Sequence, residues 1–138
     1  MPIKKHQSVK TWKDKCWDLF SEIIRLRDCK ETMGRTDWGK CCTCGIIKPF
    51  DELDAGHFIP GHHNAVYFDM RNVHAQCRHC NRFLEGNGPE YTPFMLKKYG
   101  QEVIDELKEL NKQTVPLKVF HYQIMYNQFK VIKKSLEV

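Results

Sequence analysis

Two Cys-x2-Cys pairs, Cys41 with Cys44 in KCCTCG and Cys77 with Cys80 in QCRHCN, bracket the middle of this 138-residue chain. Four thiolates spaced in this way can close a tetrahedral zinc site, and a structural zinc supplies folding free energy that so small a region cannot draw from an apolar core. About 32 residues separate the pairs, against the roughly 15–20 of a simple zinc ribbon. A further unit is therefore built between the two halves of the site. Cys42 competes with Cys41 for the metal, but Cys41 gives the two-residue spacing to Cys44, and Gly45 follows where a knuckle needs backbone freedom. Cys41 is the expected ligand, and an unrelated redox dithiol is the alternative for the paired spacing.

Seven cysteines leave Cys16, Cys29 and Cys42 outside that site. No signal peptide and no apolar run near the ~18 residues of a membrane span is visible. An intracellular, reducing location without disulfides or membrane is expected, with Cys16 and Cys29 as small buried hydrophobes on a helix. Hydrophobic residues make up 41% of the chain, and no linker, repeat or low-complexity tract divides it, so residues 1–138 read as a single domain. The formal charge of +5 is uneven: +4 over residues 1–30, −1 over 31–88 and +2 over 89–138. Nucleic acid is a natural partner for such basic flanks, and a solvated basic surface is the alternative.

The spacing of Trp12, Cys16, Leu19, Phe20, Ile23 and Leu26 predicts an N-terminal helix over about 8–30, capped by Ser8 and ended by Met33-Gly34. Short punctuated segments follow from Trp38, with LDAGHFI the strongest strand candidate. A helix is expected to start near Arg71 or Asn72, capped by Asp69 or Asn72, and to carry Cys77 and Cys80 in its first turns. Beyond Pro89 the chain turns helical again. Pro116 precedes a last helix whose Val119, Phe120, Gln123, Ile124, Asn127 and Val131 share a face, apolar enough to serve a homodimer.

The segments GHFIP, NVHAQC and CRHCN resemble the ββα-metal, or His-Asn-His (HNH), endonuclease family in order and spacing. The resemblance is closer still to the phage NinG (Rap) recombination proteins, through DAGHF, NVHAQC and CNRFLEGN, and it covers about residues 25–87. It implies an α+β fold: a small zinc-bound ββα-metal, treble-clef-like core over residues 38–88, flanked by the N-terminal helix and a helical tail over 89–138. It also implies a metal-dependent DNA endonuclease acting on branched recombination intermediates such as Holliday junctions, in the cytoplasm of a bacterial host if the chain is phage-encoded.

Under that resemblance His57 is the general base, since a neutral imidazole suits the task at neutral pH. Asn72 braces the loop carrying His57, and Asn81 is a ligand of a catalytic Mg2+ or Mn2+, offering a hard oxygen. Many members of the wider family carry an Asp immediately before the base, and that position here is Gly56. Asp54 is the nearest upstream carboxylate. It faces away from His57 under strict strand alternation and reaches the ion only if the strand bends. His62, His63 and His74 are alternative nitrogen ligands, and His74 is also a candidate hydrogen-bond partner of the zinc site.

Arg71, Arg78 and Arg82 would share one face of the predicted helix and meet DNA phosphates, with Lys4, Lys5, Lys10, Lys13 and Lys15 as a basic lead-in. Two other classes stay open. One is a zinc-bearing DNA-binding module without catalysis, and the other is a zinc-stabilised protein-interaction adaptor.

Overall fold

A computed structural model describes residues 7–61 and 65–137, so Lys4, Lys5, His62 and His63 lie outside the described residues. Helix α1, Val9–Met33, starts where the Ser8 side chain accepts from Thr11 N and stops at left-handed Gly34, whose N–H donates to Lys30 O. A non-glycine residue would be strained at that cap. One face of α1, with Cys16, Phe20, Ile23 and Ile24, packs on Ala55, Val73, Tyr122 and Phe129 to form the main core. Cys16 and Cys29 are fully buried.

Strands β1, Trp38–Lys40, and β2, Ile47–Pro49, pair antiparallel with Trp38 opposite Pro49. The first cysteine pair occupies the turn between them. Cys41 N donates to Ile46 O, Gly45 N donates to Cys41 O, and Gly45 has a φ of 80°. After a 3-10 turn, Phe50–Glu52, strand β3, Leu53–His57, pairs antiparallel with β4, Val73–Cys77, placing Asp54 opposite Gln76 and His57 opposite Val73. The fold is mixed α+β, with two small antiparallel sheets.

The helix expected from Arg71 is strand β4 instead. All five of its residues are buried, so both faces are covered and the alternation that marks a half-exposed strand is missing. The capping cues had other uses. Asp69 Oδ1 accepts from Arg71 N across a tight turn, and Asn72 braces a loop described below. The helical element after β4 is a single five-residue π turn, His79–Phe83. It ends in the positive-φ residues Glu85, Gly86 and Asn87.

Polar side chains of α1 satisfy the backbone of β4. Buried Asp28 accepts from Ala75 N at 2.7 Å, while Arg27 donates to Val73 O and Met70 O, each at 2.8 Å. Burial pushes the Asp28 carboxyl upward, against the opposing pull of Arg27 and the Ala75 N–H.

The tail forms α2, Gly88–Tyr99, α3, Gln101–Leu110, and α4, Val119–Leu136. Helices α2 and α3 enclose a second core of Val66, Tyr91, Met95, Ile104 and Leu107. Helix α4 lies on α1 through Tyr122 and Phe129, with Met125, Tyr126 and Ile132. Phe120, Ile124 and Val131, on the face singled out from the sequence, are exposed and do not pack on α1. Tyr122 and Phe129 pack beside Phe68 and Phe20. No helix among the described residues is long and apolar enough to cross a membrane.

Candidate functional site

The β1–β2 turn and the end of β4 bring Cys41, Cys44, Cys77 and Cys80 together, with all four sulfurs within 4.8 Å of one another. Cys44 Sγ and Cys77 Sγ are 3.7 Å apart, close to the ~3.8 Å edge of a tetrahedron with zinc–sulfur bonds of about 2.3 Å. Burial disfavours the Cys41 thiolate, but backbone N–H groups of Cys44, Cys77 and Thr43 and the Thr43 hydroxyl outweigh it, and the thiol falls to about 6. Cys80 N donates to Cys77 Sγ at 3.5 Å, and Asn87 Nδ2 to Cys80 Sγ at 3.6 Å. Burial pushes the Cys44 and Cys77 thiols the other way, upward, so it is the donor set and its spacing that fit a structural zinc. Cys42 stands outside the cluster, and burial pushes its thiol well up, so it stays neutral.

Beside this centre, β3, the π turn and α1 enclose a polar groove of about 360 Å³. Asp54 enters it from β3. Its carboxylate accepts from Arg82 Nε at 2.9 Å and Arg82 Nη2 at 3.0 Å, and from Asn81 Nδ2 at 3.1 Å. Arg78 reaches the same groove and donates to Asp51 O. Asp54, Asn81, Arg78 and Arg82 are thus brought together, with Asp54 and Gly56 on the face that meets Asn81 and, as strict alternation expects, opposite His57.

Arg71 is not with them. A strand, not a helix, follows it, and its guanidinium is held by Asp69 and Glu106. Trp17, Ser21 and Arg25 of α1 complete the groove, and sequence reasoning missed them. Their signal was the four-residue spacing of three non-stripe positions along one helix, which lies beside the apolar stripe and was masked by it. Arg25 stacks on the Phe50 ring at 4.3 Å.

His57 ends β3 on the opposite face. Its ring forms a cluster with Trp17 and Tyr67, at centroid distances of 4.9 and 4.8 Å, and Trp17 also lines the groove. His57 Nε2 lies 3.0 Å from Tyr67 O. A carbonyl oxygen only accepts, so Nε2 carries the hydrogen and Nδ1 the basic lone pair. Asn72, fully buried, holds the segment after His57: its Oδ1 accepts from Ile59 N at 2.9 Å, and its Nδ2 donates to Ile59 O and Val66 O.

His74 takes no part in either centre. Its Nδ1 pairs with Tyr91 Oη and its Nε2 with Tyr99 Oη, and burial first, then the charges of Arg27 and Lys98, hold it neutral, down to about 2. Tyr91 Oη passes the chain on by donating to Gly56 O at 2.7 Å. His79 is exposed and stacks on Phe83.

Residues 2–137 match the sequence model of the family described as Bacteriophage Lambda NinG protein. Among curated relatives, the protein NinG of Escherichia phage 933W is 35% identical over 69 residues, 49% of this chain and 34% of that protein. NinG of Escherichia phage lambda is 33% identical over 69 residues, covering 49% and 33%, and NinG of Salmonella phage P22 is 31% identical over 74 residues, covering 53% and 36%. The aligned stretch therefore spans about a third of these relatives' length. No solved structure matches the chain significantly.

Proposed function

The chain belongs to the bacteriophage lambda NinG family, and from that premise we propose that it is a metal-dependent DNA endonuclease of the His-Asn-His type, selective for branched recombination intermediates such as Holliday junctions. The observation that carries the reading is the β3–β4 hairpin. His57 ends it with the basic nitrogen set by the Tyr67 carbonyl, and Asp54 and Asn81 meet in a groove flanked by Arg25, Arg78 and Arg82.

The donor chemistry fits a hard divalent ion, Mg2+ or Mn2+, held by the Asp54 carboxylate and the Asn81 side-chain oxygen. Such an ion, when bound, stabilises negative charge on the phosphoryl oxygens and on the leaving 3′ oxygen. His57 Nδ1 takes the proton of the attacking water. Asn72 keeps the backbone after His57 in place, so the imidazole does not wander from its attacking position. Arg78 and Arg82 grip backbone phosphates through charge-assisted hydrogen bonds, and recognition runs through backbone and shape rather than base edges.

A second reading, a zinc-bearing DNA-binding module without catalysis, is favoured by one observation: the Arg82 guanidinium already neutralises Asp54, and Gly56 adds no carboxylate. Incubating the purified chain with linear, nicked and four-way DNA, with and without Mg2+ or Mn2+, separates the two. Metal-dependent cutting of the junction is expected. Binding of every substrate with cutting of none would leave the DNA-binding module.

A further inference from the structure

We propose that Gln76 is a ligand of the divalent cation in the Asp54–Asn81 groove, its side-chain oxygen delivered from β4 into the space that a side chain at position 56 would fill. This rests on the cation site of the function proposed above. Gln76 is 0% exposed and stands opposite Asp54 in the β3–β4 register, on the same face of the sheet.

Its amide orientation is not ambiguous. Nε2 donates to Gly86 O at 2.9 Å and to Thr43 Oγ1 at 3.2 Å, and because a backbone carbonyl accepts only, the nitrogen must lie on that side. Oε1 then lies against Gly56. It is one of two buried side-chain polar atoms among the described residues with no hydrogen-bond partner.

A second oxygen converges on the same place. A Cβ built on Gly56 would lie 1.8 Å from Gln76 Oε1 and 3.0 Å from Asn81 Oδ1. Asn81 is oriented as Gln76 is: its Nδ2 donates to Asp54 Oδ2 at 3.1 Å, and a carboxylate bound by Arg82 accepts, so Oδ1 is turned away from Asp54 and toward Gly56. Two acceptor oxygens thus aim at one spot with no donor between them. Native proteins rarely leave a buried acceptor in that state without an ion or a water to satisfy it. These are two amide oxygens, the hard donor chemistry that Mg2+ and Mn2+ take, and the Asp54 carboxylate, held by Arg82 and Asn81 Nδ2, borders them through Asn81.

The same geometry accounts for Gly56. Any side chain there would collide with Gln76 Oε1, so the carboxylate expected on β3 and the amide supplied from β4 exclude one another. The oxygen reaches the site from the neighbouring strand.

The test is Mn2+ binding to the 138-residue, zinc-loaded chain without DNA, followed by the loss of the free-ion electron paramagnetic resonance signal. Gln76→Ala is expected to weaken Mn2+ by about tenfold or more, and Gln76→Glu to tighten it, since affinity at such sites follows ligand count and charge. The double variant Gly56→Asp/Gln76→Ala, in which the collision is gone, is expected to recover most of the loss. Mn2+ affinity within twofold of the parent in both single variants would overturn the proposal, as would a parent that binds no Mn2+.

Should Gln76→Ala lose zinc or helix content, Gln76→Glu decides: tighter Mn2+ supports the ligand and unchanged Mn2+ rejects it. Cleavage of four-way DNA is scored separately. A chain that binds Mn2+ through Gln76 but never cuts keeps the ligand and rejects the nuclease. One that cuts with Gln76-independent Mn2+ affinity does the reverse.

Discussion

The cysteine cluster and the groove beside it are built from neighbouring stretches of chain, yet they differ in how their chemistry is assembled. The cluster takes its ligands as two pairs, each from one short turn, and backbone N–H groups of those turns tune the thiols. The groove takes Asp54 from β3, Asn81 and Arg82 from the π turn, and Trp17 and Arg25 from α1. A site assembled from local turns is written as a motif, whereas one assembled across elements depends on how those elements pack.

The sharpest break between the two should come from the cysteines. Cys44→Ser or Cys77→Ser is expected to lose zinc and unfold, because structural zinc contributes on the order of 10 kcal/mol of folding free energy. Cys42→Ser should leave zinc and melting temperature near the parent. Metal analysis and thermal melts check both, and an equally severe effect at Cys42 would place the wrong cysteine in the cluster.

In the groove the effect should fall on chemistry instead of folding. His57→Ala is expected to keep zinc, helix content and DNA affinity while slowing junction cleavage by roughly 10²–10⁴-fold, the contribution of a positioned base. Single-turnover cleavage measures it, and a His57→Ala chain that cuts like the parent would remove His57 from the mechanism.

Acid should act in part through a buried histidine that belongs to neither centre. His74 is neutral in the fold, held to about 2 from an ordinary 6.5, whereas in the unfolded chain it gains a proton near 6.5. The unfolded state therefore binds more protons below pH 6.5, and stability falls as pH falls, by at most about 1.4 kcal/mol per pH unit from this group. Urea midpoints between pH 7 and 5 should show the decline. His74→Gln should make it shallower, and an unchanged slope would remove His74 as a source of the decline.

The smallest effect is expected at the rim. The Arg82 side chain is 60% exposed, so Arg82→Ala should cost little stability, lower junction affinity at low salt, and reduce the salt dependence of binding by about one counterion. Fluorescence anisotropy across a salt series reads this. Arg71→Ala, with its partners Asp69 and Glu106 outside the groove, should leave the slope unchanged.

How far each part was legible follows from where its determinants lie. The four clustered cysteines, the choice of Cys41 over Cys42, the Ser8 and Gly34 caps of α1 and strand β3 could be read from spacing and residue type, because each depends largely on contacts within a few residues. Strand β4 could not be. Its polar His74 and Gln76 are buried among tyrosines and glycine backbone, and a strand covered on both faces loses its period. The face of α4 that packs on α1 was not legible for a related reason, since both faces carry apolar and aromatic residues and only the tertiary contact with α1 distinguishes them.

The amino-acid sequence by itself determined the family, the four-cysteine cluster and the order His57, Asn72, Asn81, all of which are fixed by residue identity at short or constant separation. Tertiary structure alone decided that Asp54 and Asn81 touch, that Arg71 stands apart from Arg78 and Arg82, and that Gln76 fills the space beside Gly56. Those relations depend on strand register and on a π turn, where a shift of one residue turns a side chain to the other face, and no local pattern of residues carries that information.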